Sequence, residues 1–119
     1  MASVAISEVS LRRDESRSLK PGIYSDGDTL VVVGDEYVLR VASALANPTR
    51  LRILKLLLRT EADVGEVAEL IGQSKANASA QIRRLEEAGL IETRYQPGAR
   101  GVRKISRAPY RKILLVLEP

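Results

Sequence analysis

Between Ser74 and Arg107 the chain concentrates side chains suited to holding a polyanion. Ser74, Lys75, Asn77, Ser79 and Gln81 bring donors and acceptors at helical spacing, Arg83 and Arg84 follow with guanidinium groups, and Ala76 and Ala80 leave room for close approach. A second basic set, Arg94, Arg100, Arg103, Lys104 and Arg107, flanks Pro97-Gly98. From Ser74 to Lys112 there are ten Lys and Arg against three Glu, a net charge of +7, whereas residues 1–73 carry nine against eleven, a net of −2. A positive field confined to one region is the footprint of a polyanion-binding face. A solvated basic surface would account for the charge alone.

Covalent chemistry has little to work with. The 119 residues contain no Cys and no His, which removes thiolate and imidazole metal ligands, cysteine nucleophiles, disulfides and the usual pH-sensing side chain. No nucleophile and base pair or phosphate-cradling loop is recognisable, and turn and capping roles explain the acidic Asp26, Asp28, Asp35 and Glu36. The chain therefore reads as a binding protein without catalytic residues, cofactor or metal, and no residue names a small-molecule effector.

The elements that must position these residues follow from local pattern. Asn47 supplies an N-cap and Pro48 the first helical position of a helix to about Arg59, where Leu51, Ile53, Leu54, Leu56, Leu57 and Leu58 wrap most of the circumference and predict a central, much-surrounded helix. Before it, Asp35 is a plausible N-cap for a helix to Ala46 with Val38, Val41, Ala42 and Leu45 at helical spacing. After Thr60 to Asp63 breaks the pattern, Val64, Val67, Ala68 and Ile71 mark a short helix ending at Gly72. Ser74 then caps a helix with Ala78, Ile82 and Leu85 inward and Ala76, Ala80, Arg83 and Glu87 outward, closed by Ala88-Gly89. Beyond Gly89 the period becomes alternating, and Leu90 to Tyr95 and Gly101 to Arg107 form a hairpin around Gln96 to Arg100, with Pro-Gly at its tip.

Helix, short turn, helix and basic hairpin in that order describe a winged helix-turn-helix. Its second helix is suited to the major groove of double-stranded DNA, and its wing to the backbone or minor groove. The expected fold class is α+β, mainly α, with extra strands at both ends. Residues 1–34 form an arm and β-hairpin, 35–107 the winged helix domain and 108–119 a C-terminal strand.

The run Ala44-Leu45-Ala46-Asn47-Pro48-Thr49-Arg50-Leu51-Arg52-Ile53-Leu54, followed by Val64 to Gly72, Ser74, Leu85 and Glu87-Ala88-Gly89-Leu90-Ile91, resembles the ArsR family of winged helix regulators over about residues 37 to 107. The resemblance implies a homodimer that binds an operator and usually represses transcription. In metal-sensing members a cysteine pair lies in the helix that here reads Asp63-Val64-Gly65-Glu66-Val67. Where members often place Arg-His in the recognition helix, this chain has Ala80-Gln81.

The segments outside that pattern look connected. Met1 to Lys20 reads as a loose arm or edge strand, Ile23-Tyr24 as a short strand and Thr29 to Val33 as a buried one. Tyr110 to Leu117 is too short and uniformly apolar for an amphipathic helix and predicts a strand buried on both faces, with Thr29 to Val33 as partner within one subunit or across a dimer. The expected dimer surface comprises Leu39, Val41, Leu45, Ile113, Leu115 and Leu117. The apolar run Ile113 to Leu117 is far shorter than the roughly 18 to 20 residues of a membrane span, so no membrane partner and a cytoplasmic location are expected. Two other uses stay open at this stage, a weakly specific architectural DNA-binding protein and a winged helix protein-interaction module.

Overall fold

The computed structural model describes residues 6–8 and 19–118. In chain order the elements are β1 (Ile6–Glu8), β2 (Gly22–Asp26), β3 (Thr29–Val33), α1 (Asp35–Leu45), α2 (Pro48–Arg59), β4 (Ala62–Asp63), α3 (Val64–Ile71), α4 (Lys75–Glu87), β5 (Glu92–Gly98), β6 (Gly101–Arg107) and β7 (Lys112–Val116). This is the winged helix-turn-helix arrangement, mixed α+β, with strands added at both ends. The expected N-terminal arm falls on described residues only at β1, which pairs parallel with β2, and at Leu19-Lys20; its other residues lie outside the described ones.

Two sheets flank the helices. One has the order β1-β2-β3-β7, with β2 and β3 antiparallel and β3 and β7 parallel from Thr29 opposite Lys112 to Val33 opposite Val116. The expected pairing of the two ends is thus made within one chain. The other sheet, β4-β6-β5, is antiparallel and carries the wing. A single core joins the first sheet, through Ile23, Leu30 and Val32, to Val41 and Ala44 of α1, Ile53, Leu54 and Leu57 of α2, Val67 and Ile71 of α3, and Ile82 and Leu85 of α4.

Several local expectations need correction. The N-cap of α1 is Gly34, with φ 96° and ψ 143° and no side-chain cap; Asp35 is instead the first helical residue, where its charge complements the helix dipole. A side chain at 34 would be strained at that φ, and its Cβ would stand 2.8 Å from Cβ of Pro21. Helix α2 is less enclosed than its leucines suggest, since Leu51 is exposed and Leu56 and Leu58 are half-buried. The second wing strand has the expected bounds, while the first runs past Tyr95 to Gly98, leaving Ala99-Arg100 as the tip between paired Gly98 and Gly101. Pro97 lies within β5, an outer strand where a missing N–H is tolerated. Strand β7 is not buried on both faces, because it sits at the edge of its sheet with Leu114 and Leu115 exposed.

Candidate nucleic-acid interface

The turn that aims α4 is built from three local devices. Asp63 caps α3 by accepting from the Glu66 N–H at 2.8 Å, while Glu66 Oε1 accepts from the Asp63 N–H at 3.0 Å. Gly72 then takes the left-handed conformation, φ 70° and ψ 36°, and the Gln73 N–H reaches back to the Ala68 carbonyl at 3.0 Å. Finally Ser74 Oγ accepts from the Asn77 N–H at 3.1 Å and starts α4. The Ser74 hydroxyl expected at the DNA face is therefore engaged in the cap.

Ala78, Ile82 and Leu85 anchor α4 in the core, which leaves Lys75, Ala76, Asn77, Ala80, Arg83 and Arg84 exposed and Ser79 and Gln81 half-buried. The expected outer face is therefore assembled. It is narrow near the N-terminus, carries amide and ammonium donors there, and widens to two guanidinium groups one to two turns on. The N-terminal dipole of α4 adds to its attraction for anions.

Arg50 was not singled out from sequence, yet it organises this face. Only 8% exposed, it donates from Nε to the Ala44 carbonyl at 2.7 Å, from Nη2 to the Ser43 carbonyl at 3.1 Å and from Nη1 to Gln81 Oε1 at 2.8 Å. One planar cation thus closes the C-terminal end of α1 and grips the recognition helix at its middle. The Gln81 oxygen is occupied by this contact, so the base-reading capacity assigned to Gln81 narrows to its amide nitrogen. Arg50, Ala80, Gln81, Arg83 and Arg84 together line one shallow concavity.

The wing departs most from expectation. Arg94 pairs with Glu61, Arg103 with Asp63 at 2.7 Å and Glu66 at 3.1 Å, Lys104 with Glu86 at 2.9 Å and Arg107 with Glu92 at 2.8 Å. Four of the five cations expected to face phosphates are therefore paired to carboxylates, three of them tying the hairpin to Glu61 ahead of β4, to Asp63 and Glu66 of β4 and α3, and to Glu86 of α4. Such exposed pairs are individually weak. Together they join the hairpin to the body beside the β4–β6 pairing. Arg100 at the tip has no carboxylate partner among the described residues.

Asp63 is where cap and wing meet. The Glu66 N–H, and next the Arg103 side chain, hold its carboxyl below the ordinary value of 3.8. A depressed folded-state value contributes stability above the unfolded value, and that stability is lost as pH falls through the folded one. Asn caps a helix as well as Asp does, so Asp63→Asn isolates the charge. The melting-temperature deficit of Asp63→Asn relative to wild type should be widest above about pH 5 and should close as pH falls below the ordinary carboxylate range. A deficit that stays constant through that range would show that the ionised carboxylate does not hold the wing.

The residues expected at a dimer surface do not form one set. Val41 is fully buried inside the chain and offers no surface, a correction caused by its position against the β3 side of the core. Leu45 and Ile113 are half-buried against that core. Leu39, 67% exposed, and Leu117, 71% exposed, are open, as is Leu115, together with Leu114, which lay outside the expected set.

Comparison with known proteins agrees with the geometry. The family described as bacterial regulatory protein, arsR family, matches residues 47–93. The HTH-type transcriptional regulator Rv0324 of Mycobacterium tuberculosis is 42% identical over 59 residues, which are 50% of this chain and 26% of that relative, so the match spans about a quarter of the relative's length. A crystal structure of a possible transcriptional regulatory protein (fragment 1–100) from Mycobacterium bovis is 38% identical, with 62% of this chain and 75% of that one covered at a TM-score of 0.55. A solution structure of a homodimeric winged helix-turn-helix DNA-binding domain from M. bovis, a possible ArsR-family regulator, is 38% identical over 62% of this chain and 65% of that one, with a TM-score of 0.56. NolR from Sinorhizobium fredii is 32% identical over 61% and 69% of the two chains, with a TM-score of 0.54.

Proposed function

This chain belongs to the ArsR family of bacterial regulatory proteins, and from that premise we propose that it is a repressor that binds a specific double-stranded DNA site as a homodimer. The observation that carries the reading is the outer face of α4, anchored by Ala78, Ile82 and Leu85 and exposing a narrow polar N-terminal half. Lys75, Asn77, Ser79 and the Gln81 amide nitrogen face base edges; Arg83, Arg84 and the wing-tip Arg100 face phosphates. Ala76 and Ala80 let the helix backbone sink into the groove and touch thymine methyl groups.

Two copies are needed because one short helix reads only a few base pairs. The M. bovis domain, similar in sequence and fold, is homodimeric. Two-fold symmetry sets the recognition helices about 34 Å apart, one DNA turn. With no Cys or His in the chain, repression here is relieved by a signal other than thiolate or imidazole metal binding. A regulator of this kind works in the cytoplasm and performs no catalysis. The architectural alternative draws on the Ala76 and Ala80 pair and on a heavily basic wing, and the second of these supports weakens once four wing cations have carboxylate partners.

Selection of bound fragments from genomic DNA tests this reading. The expected motif is a pseudo-palindrome whose half-sites are about 10 base pairs apart, or a multiple of that spacing. Recovery of fragments with no shared motif, or with a single unrepeated half-site, would remove the specific homodimer.

A further inference from the structure

Strand β7 is the least finished part of the molecule. It lies at the edge of its sheet with β3 as its neighbour, and Leu114, Leu115 and Leu117 on or beside it are 44%, 38% and 71% exposed. The devices that usually protect an edge are sparse: between Lys112 and Val116 there is no proline, and the one charge is Lys112 at the start. Its backbone is also half used. The Lys112 N–H bonds the Asp28 carbonyl, so by strand alternation Leu114 and Val116 turn their amides toward β3 while Ile113, Leu115 and Leu117 turn theirs outward, away from any strand among the described residues.

We propose that β7 pairs antiparallel with β7 of a second copy, in a register centred on Leu115, joining two four-stranded sheets into one. This rests on the homodimer reading above and names the surface that makes the dimer. The register follows from chemistry. Opposed residues across a two-fold must both turn their amides outward or both inward, so the pairing can centre on one residue and not between two. Centred on Leu115, Leu114 faces Val116 of the second copy, Ile113 faces Leu117, and Lys112 faces Glu118, so every apolar side chain meets an apolar one and the two end charges meet opposite charges. Centred on Leu114, Lys112 faces Val116, Leu117 faces Arg111, and Glu118 has no cation opposite. A second copy is the occupant that fits because an isologous two-fold places the same strand on both sides and closes the assembly at two chains.

The absence of native cysteine makes the test clean, since an engineered thiol is the only one that can form a disulfide. Full-length Leu115→Cys, Leu114→Cys and, on exposed α3, Glu69→Cys are compared for disulfide formation under a mild oxidant, with sedimentation equilibrium run on the reduced proteins. Opposed Cα atoms about 5.5 Å apart lie within disulfide reach, whereas position 114 meets its own symmetry mate only across a diagonal of about 8 Å, which does not. Leu115→Cys should cross-link about tenfold faster than either of the others. Faster linking of Leu114→Cys overturns the register. A dimer by sedimentation in which Leu115→Cys links no faster than Glu69→Cys overturns β7 pairing and leaves the homodimer standing. A monomer by sedimentation overturns both.

Discussion

Replacing Arg50 by alanine is expected to lower the unfolding free energy by about 3 kcal/mol, the scale for removing a buried charged donor and leaving the Ala44 carbonyl without it. For a domain of this size that corresponds to a fall in melting temperature of about 10 °C or more. The cause is specific. Arg50 donates to the Ala44 carbonyl, to the Ser43 carbonyl, which the Ala46 N–H also reaches, and to the Gln81 oxygen on α4, three acceptors on two elements. Gln81→Ala removes only the third contact and should cost about 1 kcal/mol. The two variants should also differ on DNA. Gln81→Ala loses one amide donor at the groove, whereas Arg50→Ala loosens the mounting of the whole recognition helix. Its binding deficit should therefore persist at temperatures where the variant is still fully folded. Chemical denaturation and a binding isotherm on each variant separate these effects; an Arg50→Ala protein as stable as Gln81→Ala would show that the guanidinium is not a structural brace.

Ala76→Glu is expected to weaken DNA binding about 100-fold or more without loss of stability. Ala76 is exposed at the second position of α4, on the face proposed to enter the major groove. A carboxylate there meets the phosphate field and the acceptor-rich groove edge, and like-charge contact at an interface costs several kcal/mol, each 1.4 kcal/mol being tenfold in affinity. The same carboxylate lies in the first turn of a helix, where negative charge is favoured by about 0.3–1 kcal/mol. Stability and binding should therefore move in opposite directions, which general damage to the fold cannot produce. Equal affinity for wild type and variant would place DNA somewhere other than on α4.

The helix-turn-helix was legible because its punctuation is local. Asn47-Pro48, Gly72 and Ser74 act within three or four residues of themselves, and each stands in the structure where its chemistry predicts. The partnership of Thr29–Val33 with the C-terminal strand was legible too, since two apolar runs without a periodic polar face each need a neighbour. What escaped is non-local. Arg50 looks like one more helix-surface cation until Gln81, 31 positions away, comes into reach. The wing arginines look free until the fold brings Glu61, 33 positions from Arg94, and Asp63, 40 positions from Arg103, beneath the hairpin. Strand β4, two residues long, lies inside the capping signal of α3 and leaves no periodicity to detect.

These contacts shift the functional weight from the wing toward α4. Lys75, Arg83, Arg84 and Arg100 remain without an ion pair among the described residues, four cations on each copy for phosphate contact. The most direct test of a sequence-reading DNA regulator is a competition titration of the selected site against random DNA across a range of salt. The account predicts a preference of about 10³-fold or more, with log affinity falling against log salt at a slope near −7 for two copies. A preference of only a few-fold, or an affinity indifferent to salt, would contradict it.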